Sequence, residues 1–438
     1  MKRLHIPAGW TALCLMLATA HFARAQVGLG APALPAGEDT VRPILDLYPE
    51  KPSLPPTFTI PAIPLGFLVP GSNYLLRKES LVSLDFLDEN RLLFTFHVSS
   101  GLMQRDDDDS KEGERQRVEA VVILLPSGKI ESRATWTVPD RSRYLWMLNN
   151  GTFLLRVSEG LDQGDAQLRM KPYLRQPDKL LWIQMDPKQQ VMITNSLEPA
   201  TASQQMAAST TAGGSPTADG QKPGQQNVLV TRTVKRASGD VLRVSRAWWT
   251  HQTADWPMNS EGYLERSKSE ENRWVLKLNS FAGQDRVVTT VDSTCPPRYG
   301  FTSETELLVA KCDPKHGWML EAISDRGDSL WTEKAAINAI WPLLVTAGDG
   351  SRAARETLLL RRSVDHYKRM IGAPDFRGQM VRVFDADNGK TVLEAPLNPM
   401  FDGGGNVAIS PSGQRVAILN AGAIQVFQLP PPSASTHH

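Results

Sequence analysis

The chain has 438 residues, and its 48 basic groups nearly balance 47 acidic ones, for a formal charge of +1. That balance gives nucleic acid no electrostatic reason to bind. Beyond the first 25 residues no stretch approaches 18 consecutive apolar residues, which excludes a helical membrane span.

Lys2 and Arg3 open the chain, an apolar core runs from Trp10 to Ala20, and Ala23-Arg24-Ala25 supplies a small–x–small motif. This is the layout of a signal peptide over residues 1–25, with cleavage before Gln26 and export to the periplasm or the cell exterior. Cys14 lies in the middle of the apolar core, without the small residues a lipid anchor needs before it. Removing the segment takes away Lys2, Arg3 and Arg24 and no acid, leaving a formal charge of −2. Cys295 and Cys312 then form an even pair, which in an exported protein reads as a structural disulfide, with two buried thiols as the alternative. No Cys-x-x-Cys or His-x-x-His accompanies them, so they do not suggest a metal site.

Residues 26–56 are rich in Pro, Ala and Gly and read as a disordered leader. Phe58 to Val69 has the alternation of a strand pair. Phe86-Leu87, the turn Asp88-Glu89-Asn90 and Leu92 to Phe96 form a strand–turn–strand unit. Residues 99–117 follow as a charged loop. Its acids Asp106 to Asp109 are consecutive, whereas a calcium loop spaces its acids and adds a central Gly and a distal Glu. Val118–Leu125 and Ile130–Val138 complete a first blade-like hairpin. Leu145–Leu148, the turn Asn149-Asn150-Gly151 and Phe153–Val157 repeat the unit, with Leu180–Met185 and Val191–Thr194 assigned as its outer hairpin.

Residues 199–226 carry no aromatic residue and read as a disordered insertion. Val228–Val234 and Val241–Val244 form a hairpin beyond it. Trp274–Leu278 and Val287–Val291 are strands of a central blade whose inner strand is not evident. Tyr299–Phe301, the turn Ser303-Glu304-Thr305 and Leu307–Ala310 give the next copy, and Trp318–Ile323 with Leu330-Trp331 its outer strands. Ile340–Val345 begins another blade, interrupted by a long loop to about Arg377. Met380–Phe384 and Thr391–Ala395 resume it.

The last copy is the clearest. Val407–Ile409, the turn Pro411-Ser412-Gly413, the fully apolar Val416–Leu419, the turn Asn420-Ala421-Gly422 and Ile424–Phe427 are three strands. Pro430–Pro432 end them, and 431–438 is a flexible tail. Turns recur near Asn90, Gly151, Thr305 and Gly413, a span of 323 positions. Six intervals of about 54 residues give seven blades, and five of about 65 give six. The reading is an all-β, single β-propeller over residues 57–430, seven-bladed by spacing with six blades as the alternative, and with an N-terminal strand completing the last blade and closing the ring.

The Ser-Pro-Ser-Gly turn at 410–413 resembles those of WD40-like propellers. The turns Asp325-Arg326-Gly327-Asp328-Ser329-Leu330-Trp331 and Asp385-Ala386-Asp387-Asn388-Gly389-Lys390 resemble those of quinoprotein-like propellers. The second resemblance implies that the Trp docks one blade against the next. It does not extend to the residues that bind the quinone or its metal.

Chemistry-bearing motifs are sparse. There is no Gly-x-Ser-x-Gly elbow, no phosphate loop, and no Cys-x-x-Cys-His for haem. His97, His251, His316 and His366 form no pair at metal spacing, and His437 and His438 belong to the tail. No cofactor is expected. One loop stands out: Arg361, Arg362, Lys368 and Arg369 surround His366 and Tyr367, a composition suited to an anionic partner or glycan, or to an exposed loop of no special role. Trp136, Trp182, Trp274 and Trp331 lie in strands, where packing between blades competes with stacking on sugars. The functional reading is a monomeric, exported, non-catalytic binding or scaffolding module for an unknown protein or glycan partner. The alternative is a hydrolase or lyase with its site in the central channel.

Overall fold

The computed structural model describes residues 49–69, 81–97, 115–140, 142–158, 160–176, 178–199, 227–248, 256–313, 317–334, 339–340, 344–360, 376–398, 400–401 and 404–431. The signal segment, most of the leader and of the insertion, the Asp106–Asp109 loop, the Arg361–Arg369 loop and most of the tail lie outside these residues.

Strand β1 (Phe58–Pro61) comes first in the chain and belongs to the last blade. Blade 1 comprises β2 (Ser83–Asp88), β3 (Arg91–His97), β4 (Gln116–Leu124) and β5 (Lys129–Val138). Blade 2 comprises β6 (Leu145–Met147), β7 (Phe153–Val157), β8 (Gly160–Gly164) and β9 (Met170–Arg175). Blade 3 comprises β10 (Lys179–Met185), β11 (Val191–Pro199), β12 (Asn227–Lys235) and β13 (Val241–Trp248). Blade 4 has β14 (Gly262–Glu270), β15 (Arg273–Ser280) and β16 (Arg286–Asp292). Blade 5 comprises β17 (Arg298–Phe301), β18 (Glu306–Asp313), β19 (Gly317–Ser324) and β20 (Ser329–Lys334). Blade 6 comprises β21 (Ala339–Ile340), β22 (Leu344–Thr346), β23 (Arg352–Leu360), β24 (Phe376–Asp385) and β25 (Thr391–Leu397). Blade 7 comprises β26 (Val407–Ile409), β27 (Arg415–Asn420) and β28 (Ala423–Gln428), with β1 added at its outer edge. All strand pairs are antiparallel, and the seven sheets stand in a ring, as the turn spacing suggests.

The second strands of blades 1 and 7 show why their sequences are mostly apolar. In β3, Leu92, Phe94 and Phe96 face blade 7, while Leu93 faces blade 2. In β27, Ala417 and Leu419 face blade 1, while Val416 and Ile418 face blade 6. A strand covered on both faces loses the polar half of its alternation. The ring closes as expected. Phe58 to Pro61 pair with Val426 to Ala423, and Ile60, Ala62, Leu65 and Phe67 enter the core between blades 7 and 1. Just before them, Ser53 N donates to Glu394 O at 2.8 Å, and Leu54 packs against the cluster between blades 6 and 7.

The Trp residues do the docking that the turn resemblance implies. Trp331 of blade 5 lies over Gly389 of blade 6, meets Phe384 edge-on at 5.6 Å, and donates Nε1–H to Ala386 O at 2.6 Å. A Cβ at Gly389 would sit 2.6 Å from the Trp331 ring, so the two turns singled out in the sequence pack on each other. Trp136 packs on Phe153 between blades 1 and 2.

Three assignments change. Leu180–Met185 and Val191–Thr194 are not the outer hairpin of blade 2; they start blade 3, and β8 and β9 complete blade 2. The stretch between Val345 and Arg377 contains a nine-residue central strand, β23. The inner strand of blade 4 is reduced to one bridge, Met258 to Tyr263, so that its three full strands are the outer three.

Candidate functional site

The turns between first and second strands all reach one face of the ring, and they interlock. Ser412 N of blade 7 donates to Glu89 Oε1 of blade 1 at 2.8 Å. Asn149 N of blade 2 donates to Gln189 Oε1 of blade 3 at 2.8 Å, and Gln189 Nε2 returns to Met147 O at 3.0 Å. Asp349 N of blade 6 donates to Pro411 O of blade 7 at 3.0 Å. Glu304 of blade 5 accepts Lys188 N from blade 3 at 3.1 Å and Ser260 N from blade 4 at 2.8 Å. Across the axis, a Cβ on Gly348 of blade 6 would lie 3.4 Å from Asn149 Oδ1 of blade 2. Turns of blades 2 and 6 therefore come close to one another on this face.

Asp186 stands in this floor. Its Oδ1 accepts Val191 N at 2.6 Å. Burial first, then the neighbouring Glu304 carboxylate, push Asp186 up to about 6, while the N–H groups from Ser260 and Lys188 help hold Glu304 low. Two acids with diverging affinities for protons resemble an acid–base pair. Here both are tied to backbone N–H groups that knit the floor together.

The other face is where the chain enters each first strand. Strand β2 sends Leu84 and Phe86 toward blade 7. Alternation turns Asp85 the other way, toward blade 2 and the channel. Asp85 is half-buried, and its Oδ2 accepts the Ser83 hydroxyl at 2.5 Å. Burial raises its carboxyl, opposed by that hydrogen bond and by Arg143. Arg143 lies just ahead of β6. It is exposed, its Nε donates to Leu145 O at 3.2 Å, and its guanidinium sits 5.5 Å from the Trp146 ring centre. The scaffold beneath is firm. Tyr144 donates to Leu81 O at 2.6 Å and takes the Thr95 hydroxyl at 2.6 Å. Burial raises the Tyr144 phenol, so it stays a neutral donor. Arg156, fully buried, pairs with Asp140 and caps Leu180 O at 3.3 Å.

The same face carries exposed apolar residues from the closing segment: Ile63, Leu68 and Val69, 61%, 66% and 46% exposed. Val69 and Ile63 cover Gly422 of blade 7 there. The connections from β3 to β4, β11 to β12 and β23 to β24 also leave from this face. The last of these contains Arg361, Arg362, His366, Tyr367, Lys368 and Arg369.

One acid is buried inside the wall. Glu356 of β23 accepts Gln379 Nε2 at 3.0 Å and, with the Asn406 amide oriented to satisfy both groups, its Nδ2 at 3.1 Å. Burial pushes Glu356 up to about 8.

Cys295 and Cys312 form the expected disulfide, with a Cα–Cα distance of 5.5 Å, joining the lead-in of β17 to the end of β18. Among the described residues, no three metal-ligating side chains cluster, and no helix is long and apolar enough to cross a membrane. Sequence reasoning missed Asp85 and Arg143. The available signal was Asp85 itself, a lone acid between the core residues Leu84 and Phe86.

No family model and no curated protein matches the chain. Among solved structures it is similar to an acylaminoacyl peptidase of Pyrococcus horikoshii, at 7% identity and a TM-score of 0.42 over 79% of this chain and 50% of that one. It thus spans about half the length of that peptidase. It is also similar to the C-terminal WD40 domain of Sif2, at 9% identity and a TM-score of 0.37 over 80% and 96% of the two chains. A third likeness is to a chain of the mitotic checkpoint complex, at 9% identity and a TM-score of 0.40 over 86% and 95%. Likeness at these identities concerns fold alone. By its own strand order the chain is a seven-bladed β-propeller that resembles WD40 domains in architecture.

Proposed function

We propose that this protein is an exported, non-catalytic binding module whose partner docks on the open face of the ring. The observation that carries the reading is the asymmetry of the two faces. One is knit by turns that hydrogen-bond from blade to blade. The other presents Arg143 and the apolar residues Ile63, Leu68 and Val69 to solvent. An apolar patch beside charged groups is how soluble proteins mark a contact surface. The connection from β23 to β24 leaves from this face and carries the basic residues at 361–369, a composition suited to an anionic protein or glycan. With residues 1–25 read as a signal peptide, the encounter would occur in the periplasm or outside the cell.

The test is site-specific photocross-linking in the native envelope. A cross-linker at Ser142, on the open face, captures a discrete partner, and one at Asn150, on the closed face, does not. Capture from Asn150 alone would overturn the proposal.

A further inference from the structure

We propose that the open face carries, between blades 4 and 5, a binding site for a soluble phosphate monoester, with Arg266 and Lys268 as its two cations and Trp274 as the platform that holds them. This deepens the open-face reading, on which it rests, by naming a ligand chemistry for one part of that face.

Arg266 and Lys268 belong to β14, and Trp274 to β15. The hairpin that joins these strands leaves blade 4 on the open face, like the other connections from second to third strands. Lys268 stands directly opposite Trp274, and Arg266 opposite Leu276. Leu264, Leu276 and Leu278 lie in the core between blades 4 and 5. By alternation, Arg266, Lys268 and Trp274 share the side of the sheet that looks toward blade 5. Both cations are exposed. Arg266 Cζ lies 5.3 Å and Lys268 Nζ 5.8 Å from the centre of the Trp274 ring, within reach of a cation–π contact. Arg266 Nη1 donates to Pro297 O at 2.6 Å, and Trp274 Nε1 to Ser293 O at 3.0 Å. Both carbonyls belong to the lead-in of β17, which Cys295–Cys312 staples to the end of β18. Ser293 Oγ donates to Cys295 O at 2.6 Å and accepts Cys312 N at 2.9 Å. The cations therefore rest on a fixed wall.

Among the described residues neither cation makes an ion pair, and Arg266 Nε and Nη2 make no hydrogen bond. Two residues apart on a strand, their Cα atoms are about 7 Å from each other, so the two charges repel. One group that meets both must be doubly charged to balance them. A carboxylate carries a single charge, whereas a phosphate monoester carries about two at pH 7, spread over three oxygens. The arginine fork suits two of those oxygens, and the lysine ammonium adds a point charge. The acids nearby select against a membrane surface. At the hairpin tip Glu270 and Asp292 flank Arg273 at 3.5 and 3.4 Å and are largely exposed, and Glu271 is exposed beside them. A flat anionic bilayer meets those three acids first. A single soluble ester reaches the cations beneath them.

Isothermal titration of the full chain tests the proposal with glucose 6-phosphate as the probe, glucuronate as the singly charged control and glucose as the neutral one. Glucose 6-phosphate is expected to bind, glucuronate more weakly, and glucose not at all. Lys268→Met should weaken binding about tenfold, the worth of one hydrogen bond to a charged group. Arg266→Lys should weaken it several-fold, because it keeps the charge but loses the fork. Lys129→Met, which removes an exposed cation on blade 1, should bind as the parent does. Thermal unfolding checks that each variant is folded. The assignment is wrong if glucose 6-phosphate does not bind at millimolar concentration, or if glucuronate binds as well as it does. It is equally wrong if folded Lys268→Met binds as the parent does, or if Lys129→Met loses as much. Binding to phosphatidic acid vesicles without binding to glucose 6-phosphate would give the patch to a membrane and overturn the proposal. A partner cross-linked at Ser142 would survive each of these results, so the two readings fail separately.

Discussion

Replacing Phe67 by Ala tests ring closure at a point the strand pairing alone does not reach. Phe67 follows β1 in the chain and is 2% exposed. Its ring meets Phe94 at 5.5 Å and Phe96 at 5.8 Å, both edge-on, and its N–H donates to Ala62 O at 3.2 Å. Truncating a buried Phe costs about 3–5 kcal/mol, from lost transfer and the cavity left behind. Each aromatic pair accounts for about 1 kcal/mol of that. The segment belongs to the fold only if its side chains are core residues, and the sequence alone could equally make it a strap lying on blade 7. Urea unfolding followed by Trp fluorescence measures the loss. Ile63→Ala and Leu68→Ala are the controls, since both side chains are largely exposed and should change stability by about 0.5 kcal/mol or less. A loss under about 1 kcal/mol for Phe67→Ala, or equal losses for all three, would refute the closure argument.

Arg352 is a polar tie between blades 6 and 7. It is fully buried, with Nε on Asp385 at 2.9 Å, Nη1 on Gly413 O at 3.1 Å and Nη2 on Pro430 O at 2.5 Å. Arg352→Met should cost about 3–5 kcal/mol by leaving Asp385 buried beside an apolar group, and adding Asp385→Asn should recover part of it in the same urea assay. Glu356 should make stability depend on pH. Its folded affinity for a proton, about 8 against 4.5, exceeds that of the unfolded chain, so its contribution is complete below about 4.5 and declines as pH rises toward about 8. The slope approaches about 1.4 kcal/mol per pH unit, and Glu356→Gln should flatten it in melting curves across that range. Cys295→Ser with Cys312→Ser should cost about 3 kcal/mol, as expected for a short closed loop, measured in the same urea assay.

What the sequence disclosed follows from how strands meet their surroundings. Val416–Leu419 is legible because blades 6 and 1 cover both its faces. Strand β8, Gly160 to Gly164, is not legible. Its glycines stand where other atoms crowd: a Cβ on Gly164 would lie 2.2 Å from the Phe153 ring, and one on Gly160 2.1 Å from Leu174 O. Packing there removes the side chains that would have made a pattern. Strand β23 hides for the opposite reason. Arg352 to Leu360 reads RAARETLLL, a composition of strong helix formers. It becomes a strand because β22 and β24 pair with it on both edges.

The carboxyl pair in the floor has a structural origin of the same kind. Elsewhere neighbouring blades join turn to turn, but blade 4 keeps only the Met258–Tyr263 bridge of its inner strand. The axis is therefore thin at that sector, and turns from blades 3 and 5 meet across it through Lys188 N and Glu304. The blade 4 turn fills the space, with Ser260 N on the second Glu304 oxygen and Asn259 Nδ2 on Glu304 O at 3.0 Å. One carboxylate thus collects donors from two blades. Its approach to Asp186 adds to the burial that raises Asp186.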